Sequence, residues 1–425
     1  MAFTVTGRSK PKRVARGGTI AALDVGSSKV VCFIARVEEP GSIRVVGIGH
    51  QVSRGVRAGA IVDMEAAETA IGTAVHAAET MAGEQIREVL VGLSGGQPES
   101  QTLTVETGIS GSEITDADLR RALAHARNLN VSADAELIHS IPVGYTVDGS
   151  SGIRDPRGMV GEKLGVRLHV VTAAAGPVRN LNSCVGRCHL GVEGFVMSPF
   201  AAGLSCLVED EMDLGVTLID MGGGTTSISV FFDGKMVWTD SVPIGGSHVT
   251  SDIARGLTTP LAHAERLKTL YGSALPAPSD EREIIDVPQI GEEDRAQAHH
   301  VPKSLLVGII QPRLEEVFEF VRGRLDASGF AKLAGRRVVL TGGASQLPGM
   351  RELAQQVLDK QIRLGRPLRI GGLAESVGGP AFSAAAGLLA YAVQQHAEAP
   401  ALAPLIEPAG SGWWGRMGNW LRDNL

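Results

Sequence analysis

Apolar residues along this chain keep two rhythms: short continuous runs bounded by glycine, and longer stretches at helical spacing. Residues 20–28 read Ile-Ala-Ala-Leu-Asp-Val-Gly-Ser-Ser, an apolar strand that ends in Asp-x-Gly. A second apolar strand follows over 29–37. Much later, residues 215–226 read Gly-Val-Thr-Leu-Ile-Asp-Met-Gly-Gly-Gly-Thr-Thr and lead into an alternating strand over 227–232. The same strand–(Asp, Gly)–strand hairpin in both halves predicts two similar lobes facing a cleft.

Around these hairpins the pattern fills in. The first lobe carries a helix over 63–81 and a buried strand over 89–93. Residues 97–168 read as an insert: β-rich at its start, then a helix over 116–128 opened by Ser112 and Thr115, then strands near 136–147. The chain returns through a strand at 168–172 and a helix over 178–189. A second insert lies between Gly245 and Ala334 and is mostly helical. Its middle, 274–301, is rich in proline and charge and predicts loop with one short strand. A helix over 303–325 leads back to a strand at 337–340, and 380–395 predicts a helix of small residues.

The sharpest amphipathic stretch is the C-terminal one. On a helix, Trp413, Trp414, Met417, Trp420 and Leu421 share one stripe, which Leu425 extends. Arg416, Asn419, Arg422 and Asp423 take the other side. The chain has four Trp, and three of them lie here. Indole suits the lipid headgroup boundary, because its ring is apolar and its N–H still needs a partner. The stripe predicts a helix lying in a membrane surface, too short and too polar to span one. A helix docked on the protein's own body or on a partner is the competing reading. The Pro/Ala-rich segment before it favours the membrane.

Composition narrows the class. The 425 residues are 44% hydrophobic and 20% charged, as in a globular protein of two or more compact units. Glycine is abundant at 54 while aromatics are only 4%, which suggests tight turns and close backbone approaches. A net charge of -6 argues against nucleic acid as the main partner. The first seventeen residues are basic (Arg8, Lys10, Lys12, Arg13, Arg16) and lack the apolar core of a signal peptide. Among the cysteines, Cys184, Cys188 and His189 have no second ligand pair at zinc spacing. On a helix, Cys184 and Cys188 share a face, as buried small hydrophobes do. The chain reads as cytoplasmic and reduced.

Each Asp-x-Gly hairpin can wrap phosphates. Backbone N–H groups reach the oxygens where glycine leaves room, and hydroxyls add donors. The candidates are Gly26, Ser27, Ser28 and Lys29 in the first hairpin, and Gly222, Gly223, Gly224, Thr225 and Thr226 in the second. Asp24 and Asp220 would hold Mg²⁺, mostly through waters. A lone Asp-x-Gly equally makes an ordinary turn; the matched pair carries the argument. Residues 340–349, Leu-Thr-Gly-Gly-Ala-Ser-Gln-Leu-Pro-Gly, predict a strand, a glycine turn and a helix start. Gly342, Gly343 and Ala344 there suit adenosine against backbone. On a helix, Glu265 would accept from ribose hydroxyls and Lys268 would flank the base; taken alone, the two read as a solvated face.

These motifs, in this order, resemble the actin-like ATPase superfamily and, within it, the FtsA family of bacterial cell-division proteins. Further matching stretches are 93–95 (Leu-Ser-Gly), 243–252 (Pro-Ile-Gly-Gly-Ser-His-Val-Thr-Ser-Asp), Thr259-Pro260, Tyr271-Gly272, Gln311-Pro312-Arg313 and the amphipathic C-terminus. The resemblance implies an α/β, actin-like two-lobe fold of duplicated ribonuclease-H-like domains. It also implies an FtsA-type insert in the first lobe and a C-terminal amphipathic helix. The chain then divides into a disordered basic tail (1–17), a first-lobe core (18–97 and 169–211) and its insert (98–168). A second-lobe core (212–245 and 335–395) with its insert (246–334), a flexible linker (396–411) and a membrane-targeting helix (412–425) complete it.

The resemblance also implies function: ATP with Mg²⁺ in the cleft, and a head-to-tail polymer of the chain with itself. The second insert would receive the C-terminal peptide of the division polymer FtsZ, with Lys303, Arg313 and Glu316 at the dock. Arg313 and Glu316 also read as a plain i, i+3 surface pair. Such a protein sits peripherally on the cytoplasmic face of the inner membrane at the division septum and recruits downstream divisome membrane proteins. In brisk hydrolysers of the superfamily, a Glu before the proline of a Pro-x-Ala-Ala helix start orients the attacking water. Here Ser198 precedes Pro199-Phe200-Ala201-Ala202. Serine is no carboxylate base, so at most slow hydrolysis is expected and the catalytic residue is unknown. Two other readings share the fold. A PilM-type pilus-assembly adaptor lacks the detached Trp-rich helix, and a sugar or acetate kinase needs a catalytic carboxylate and a sugar pocket.

Overall fold

In the computed structural model, residues 18–39, 42–126, 132–291, 299–368 and 370–393 are described. The basic N-terminal segment and the tail with Trp413, Trp414, Met417, Trp420 and Leu421 lie outside the described residues. The strand that carries Asp24, β1 (Thr19–Val25), is buried from Ile20 onward and occupies the middle of a five-stranded sheet. On one side it pairs antiparallel with β2 (Lys29–Glu39), which pairs antiparallel with β3 (Ser42–Val52). On the other side it pairs parallel with β6 (Glu88–Leu93), which pairs parallel with β11 (Gly191–Met197).

The strand that carries Asp220 repeats this plan. β12 (Val216–Met221) pairs antiparallel with β13 (Thr226–Phe232), and β13 with β14 (Lys235–Val242). On its other side lie β17 (Arg337–Thr341) and β18 (Gln361–Leu364), both parallel. Register confirms the duplication: Asp24 faces Val31 and Asp220 faces Ser227. The turns close alike. The Gly26 N–H donates to the Lys29 carbonyl at 3.0 Å and the Gly222 N–H to the Thr225 carbonyl at 2.9 Å.

Two helices of small residues bind the sheets together by exchange. α4 (Ser198–Cys206) follows β11 of the first sheet but packs on β12, β13 and β17 of the second. α10 (Ser383–Val393) follows the second sheet and packs on β1, β2 and β6 of the first. They cross where Gly387 meets Ala201; a Cβ on Gly387 would lie 1.6 Å from the Ala201 carbonyl oxygen. Glycine is required there by contact, since backbone fills the place of a side chain. A short hairpin, β4 (Val56–Arg57) and β5 (Ala60–Ile61), leads into α1 (Met64–Ala82). Asp63 caps α1, its carboxylate accepting from the Ala66 N–H at 3.1 Å.

The first insert is a separate four-stranded sheet. Its order is β7 (Glu99–Gly108), β10 (Lys163–Ala174), β8 (Ala135–Val147), β9 (Ser150–Ile153). With α2 (Asp116–Ala126) it closes a small core around Tyr145, Leu164, Val166 and Leu168. α3 (Ala175–Arg187) then returns to the first lobe, and α5 (Glu209–Leu214) precedes the second. The second insert holds α6 (Gly246–Gly256), α7 (Leu261–Tyr271) and α8 (Lys303–Ala327), and α9 (Met350–Leu358) follows β17.

The outer antiparallel edges of both sheets are met by chain from the other lobe. At β3, the Val45 N–H donates to the Gly371 carbonyl at 2.9 Å. At β14, the Thr239 N–H donates to Ser100 Oγ at 3.2 Å. Ser100 Oγ in turn lies 2.5 Å from His169 Nε2, and His169 Nδ1 lies 3.0 Å from the Met236 carbonyl. A carbonyl only accepts, so Nδ1 carries the proton and Nε2 receives the Ser100 hydroxyl.

Two sequence expectations are corrected. The segment 274–301 holds two short strands, β15 (Ile284–Val287) and β16 (His299–Pro302), paired antiparallel, where one was expected. Four residues of alternation are too few to stand out in a stretch rich in proline and charge. The helix expected over 380–395 opens as a 3-10 turn, Pro380–Phe382, and becomes α-helical at Ser383. Cys184 and Cys188 stand over the backbone of α1, their sulfurs 3.9 Å from the Met64 carbonyl and 3.5 Å from that of Glu68. Among the described residues, no group of three or more His, Cys, Asp or Glu side chains could hold a metal ion.

Gly387→Ala should destabilise the fold by about 3 kcal/mol, the upper end of the usual overpacking penalty. A chemical-denaturation midpoint unchanged from wild type would show that the helices part without cost.

Candidate nucleotide site

The duplicated hairpins converge on one cleft. A cavity of about 420 Å³ is lined by Asp24, Gly26, Ser27, Ser28 and Lys29 from the first lobe, and by Asp220, Gly222, Gly223, Gly224 and Thr225 from the second. Glu265, Lys268, Gly342, Gly343 and Ala344 line its other end. The turns touch across the cleft. A Cβ on Gly223 would fall 1.8 Å from Ser28 Oγ, and one on Gly224 would fall 2.4 Å from Ser27 Oγ. Side chains at these glycines would hold the turns apart, so the glycines set how closely the lobes approach.

Thr226, a phosphate candidate in the sequence, does not line the cavity. Its hydroxyl donates to the Ile244 carbonyl at 2.8 Å within the second lobe. β13 begins at Thr226, and its alternation turns Ser227 toward the cavity and Thr226 away. Ser198, at the start of α4, does line it. Its buried hydroxyl has no hydrogen-bond partner among the described residues. Gly92 opens space beside it: a Cβ there would lie 3.0 Å from Asp24 Oδ1 and 3.3 Å from Ser198 Oγ.

At the far end, Lys268 Nζ donates to the Gly246 carbonyl at 3.1 Å, to Thr250 Oγ1 at 2.9 Å and to Glu265 Oε2 at 2.7 Å. Thr250 Oγ1 also donates to Glu265 Oε2, at 2.5 Å. Glu265 and Lys268 therefore brace one another and tie α7 to the start of α6. Sequence reasoning did not single out Ser94, Ser227, Val249, Thr269, Leu314, Met350 or the turn residues Pro380 and Ala381, which also line the cavity. They arrive from separate elements by tertiary packing; Ser94, Ser227 and Val249 stand within stretches that the sequence had marked, though for other reasons.

Family comparisons agree with this arrangement. A model of the SHS2 domain inserted in FtsA matches residues 95–172, and one for cell division protein FtsA matches 217–387. The cell division protein FtsA of Rhizobium meliloti is 46% identical over 432 residues, covering 98% of this chain and 97% of the relative. That of Escherichia coli K12 is 32% identical, covering 96% and 98%. The chain belongs to the FtsA family. FtsA-family membership sets aside the pilus-adaptor and kinase readings of the sequence. Among solved structures, the PilM–PilN type IV pilus biogenesis complex matches with a TM-score of 0.62 at 18% identity, covering 88% of this chain and 98% of that one. MreB5 of Spiroplasma citri bound to ADP matches with 0.52 at 13%, covering 88% and 95%. Both likenesses are of fold, and both agree with the actin-like two-lobe architecture of the FtsA family.

The electrostatics of the FtsA-type cleft are unbalanced. Burial pushes the Asp24 carboxyl above the usual range, and Lys29 pulls it back in part. Burial, and then repulsion from Asp24, raises Asp220 to about 7 against the attraction of Lys29. Burial also lowers the Lys29 ammonium, offset by both aspartates. Two carboxylates thus share one cation. Hard oxygen donors short of positive charge, beside an unpartnered hydroxyl, fit Mg²⁺ carried on a nucleotide and completed by water and phosphate.

Of the three residues expected at a peptide dock, Arg313 and Glu316 pair with each other, while Lys303 stands at the start of the same helix with other partners. Lys303 pairs with Glu283 at 2.9 Å and Asp280 at 3.3 Å. Arg313 pairs with Asp252 at 2.5 Å, tying α8 to α6, and also with Glu316. All three lie on α8, but their charges are already engaged within the second insert.

The pH dependence of stability follows from the raised carboxyls. An unfolded aspartate titrates near 3.9, so from about pH 4 to about pH 7 the native chain holds protons that the unfolded chain has lost. Asp220 therefore lowers stability as pH rises through that window, with the full penalty above it. Without nucleotide, Asp220→Asn should gain on the wild type in thermal midpoint between about pH 5 and about pH 8. A difference that stays constant across that range would contradict the buried, raised carboxyl.

Proposed function

We propose that this chain binds ATP with Mg²⁺, polymerises head to tail, and tethers FtsZ filaments to the cytoplasmic face of the inner membrane. There it recruits downstream divisome membrane proteins. The observation that carries the nucleotide half is the pair Asp24 and Asp220, at equivalent register in duplicated sheets and facing one cavity with Lys29. Gly26 to Lys29 and Gly222 to Thr225 would wrap the phosphates, and Gly342 to Ala344 with Glu265 and Lys268 would take the adenosine. Bound Mg²⁺ would supply the missing positive charge between the aspartates and the phosphate oxygens.

The membrane half rests on the Trp413, Trp414, Met417, Trp420 and Leu421 stripe. Arg416 and Arg422 are partly offset by Asp423, so apolar burial more than charge drives the anchor. At roughly 25 cal/mol per Å² of apolar surface, partial burial of three indoles contributes several kcal/mol. One such helix binds reversibly, and many on one filament bind tightly through effective concentration.

Liposome co-sedimentation of the full chain with a labelled FtsZ C-terminal peptide tests the tether. The wild type should carry the peptide into the pellet. Trp414→Glu should leave both in the supernatant, at protein concentrations below polymerisation. Arg313→Gln should stay with the lipid and lose most of the peptide. That change removes the charge without placing a third carboxylate beside Asp252 and Glu316. Peptide recovery unaffected by Arg313→Gln would sink the dock, and lipid binding that survives Trp414→Glu would sink the anchor.

With Ser198 where a water-orienting carboxylate would stand, hydrolysis should be slow. Phosphate release from a filament-forming sample is expected below about one per second. A faster rate would mean that another residue orients the water.

A further inference from the structure

The second lobe's chain reaches across the cleft at one aromatic residue. Phe382 ends the 3-10 turn Pro380–Phe382 that leads into α10. Its ring stacks on Phe33, with centroids 6.2 Å apart and planes at 21°, and meets His50 edge-on at 6.0 Å. Lys29 and Phe33 lie on one face of β2, and His50 joins that face from β3, where it pairs opposite Val31. The third contact is the informative one. Lys29 Nζ stands 4.0 Å from the Phe382 ring centroid.

The turn itself is held firmly. The Pro380 carbonyl accepts from the Gly342 N–H at 3.1 Å and from Thr341 Oγ1 at 3.3 Å. The Phe382 N–H donates to the Gly379 carbonyl at 3.0 Å. A fixed ring beside a flexible four-carbon stem decides where the ammonium sits. A carboxylate could hold Lys29 equally well, but its charge would repel phosphate. An aromatic face attracts the cation without carrying net charge, so it places the ammonium without adding to the negative charge of Asp24 and Asp220.

We propose that Phe382 is a positioning residue for Lys29. Its ring holds the ammonium toward the phosphate hairpins, so contact with the outer phosphates of a bound nucleotide depends on a residue at the root of α10. This rests on the reading that the cleft takes ATP. The aromatic contact has no part in holding adenosine, so its loss falls on ATP and spares AMP.

Calorimetry of the full chain with ATP and with AMP, both with Mg²⁺, tests it. Phe382→Leu should weaken ATP by about fivefold, the factor that ~1 kcal/mol of cation–π attraction corresponds to, and leave AMP within about twofold. Phe382→Trp should restore ATP binding. Combined with Lys29→Ala, Phe382→Leu should add little, because both changes remove the same interaction. Equal losses for ATP and AMP, or additive losses in the double variant, would overturn the proposal. If the Leu variant is insoluble, Phe382→Met replaces it in the same comparison. A wild type that binds no ATP would overturn the nucleotide reading itself. One that binds ATP while Lys29→Ala has no effect would overturn only the role given to Lys29 and Phe382.

Discussion

Two aspartates share one lysine in a cleft between two sheets. Coulomb repulsion and desolvation both act against the charged pair, and in a low-dielectric setting neither is small. The arrangement is costly unless a cation comes in, which is why it reads as a place for a metal-bearing anion rather than as a stabilising ion pair. The glycines around it follow from the same constraint. Phosphate oxygens need bare N–H donors, and the turns at Gly223 and Gly224 come so close to Ser28 and Ser27 that no side chain fits. A ligand that supplies the missing charge would stabilise the folded chain in proportion to its occupancy.

Symmetry delivers this geometry. Each aspartate ends the central strand of its sheet, and each sheet has its antiparallel ribbon on one side and parallel strands on the other. Because α4 and α10 exchange sheets, neither lobe has a complete core without the other. Movement at the cleft must therefore be felt where Gly387 rests on Ala201. Ser198 begins one of these helices, and Phe382 stands at the root of the other. The cavity is thus lined from both helices of the crossing pair, by Ser198 and by Ala384.

Much of this was legible in the sequence, for a physical reason. Apolar runs ending in Asp-x-Gly are periodic, local and repeated, and their phosphate candidates reach the cavity, Thr226 excepted. That exception reflects strand alternation, which a motif read as a string does not display. Leu314, Thr269 and Pro380 were not legible, because their own residue types carry no nucleotide chemistry in the sequence; packing alone brings them to the cleft. Phe382 was hidden for the same reason. It stands in a stretch of small residues, and its partners Lys29, Phe33 and His50 belong to the opposite end of the chain. Charge pairs were legible only as residue types. In the sequence Arg313 reads as a dock residue or as the i, i+3 partner of Glu316; the fold keeps that pair and adds Asp252, which the sequence did not offer.

The reciprocal covering of β3 and β14 bears on how copies of this chain can associate. An open edge strand is a template for adding another strand, and pairing of that kind spreads and seldom reverses. Here Gly371 takes a backbone N–H of one edge, and Ser100 with His169 takes an N–H and a carbonyl of the other. A protein held at high local concentration is most exposed to that hazard. With these backbone groups already occupied, those stretches of the two edges are closed to an added strand. Copies brought together at these two stretches then meet without their sheets fusing there.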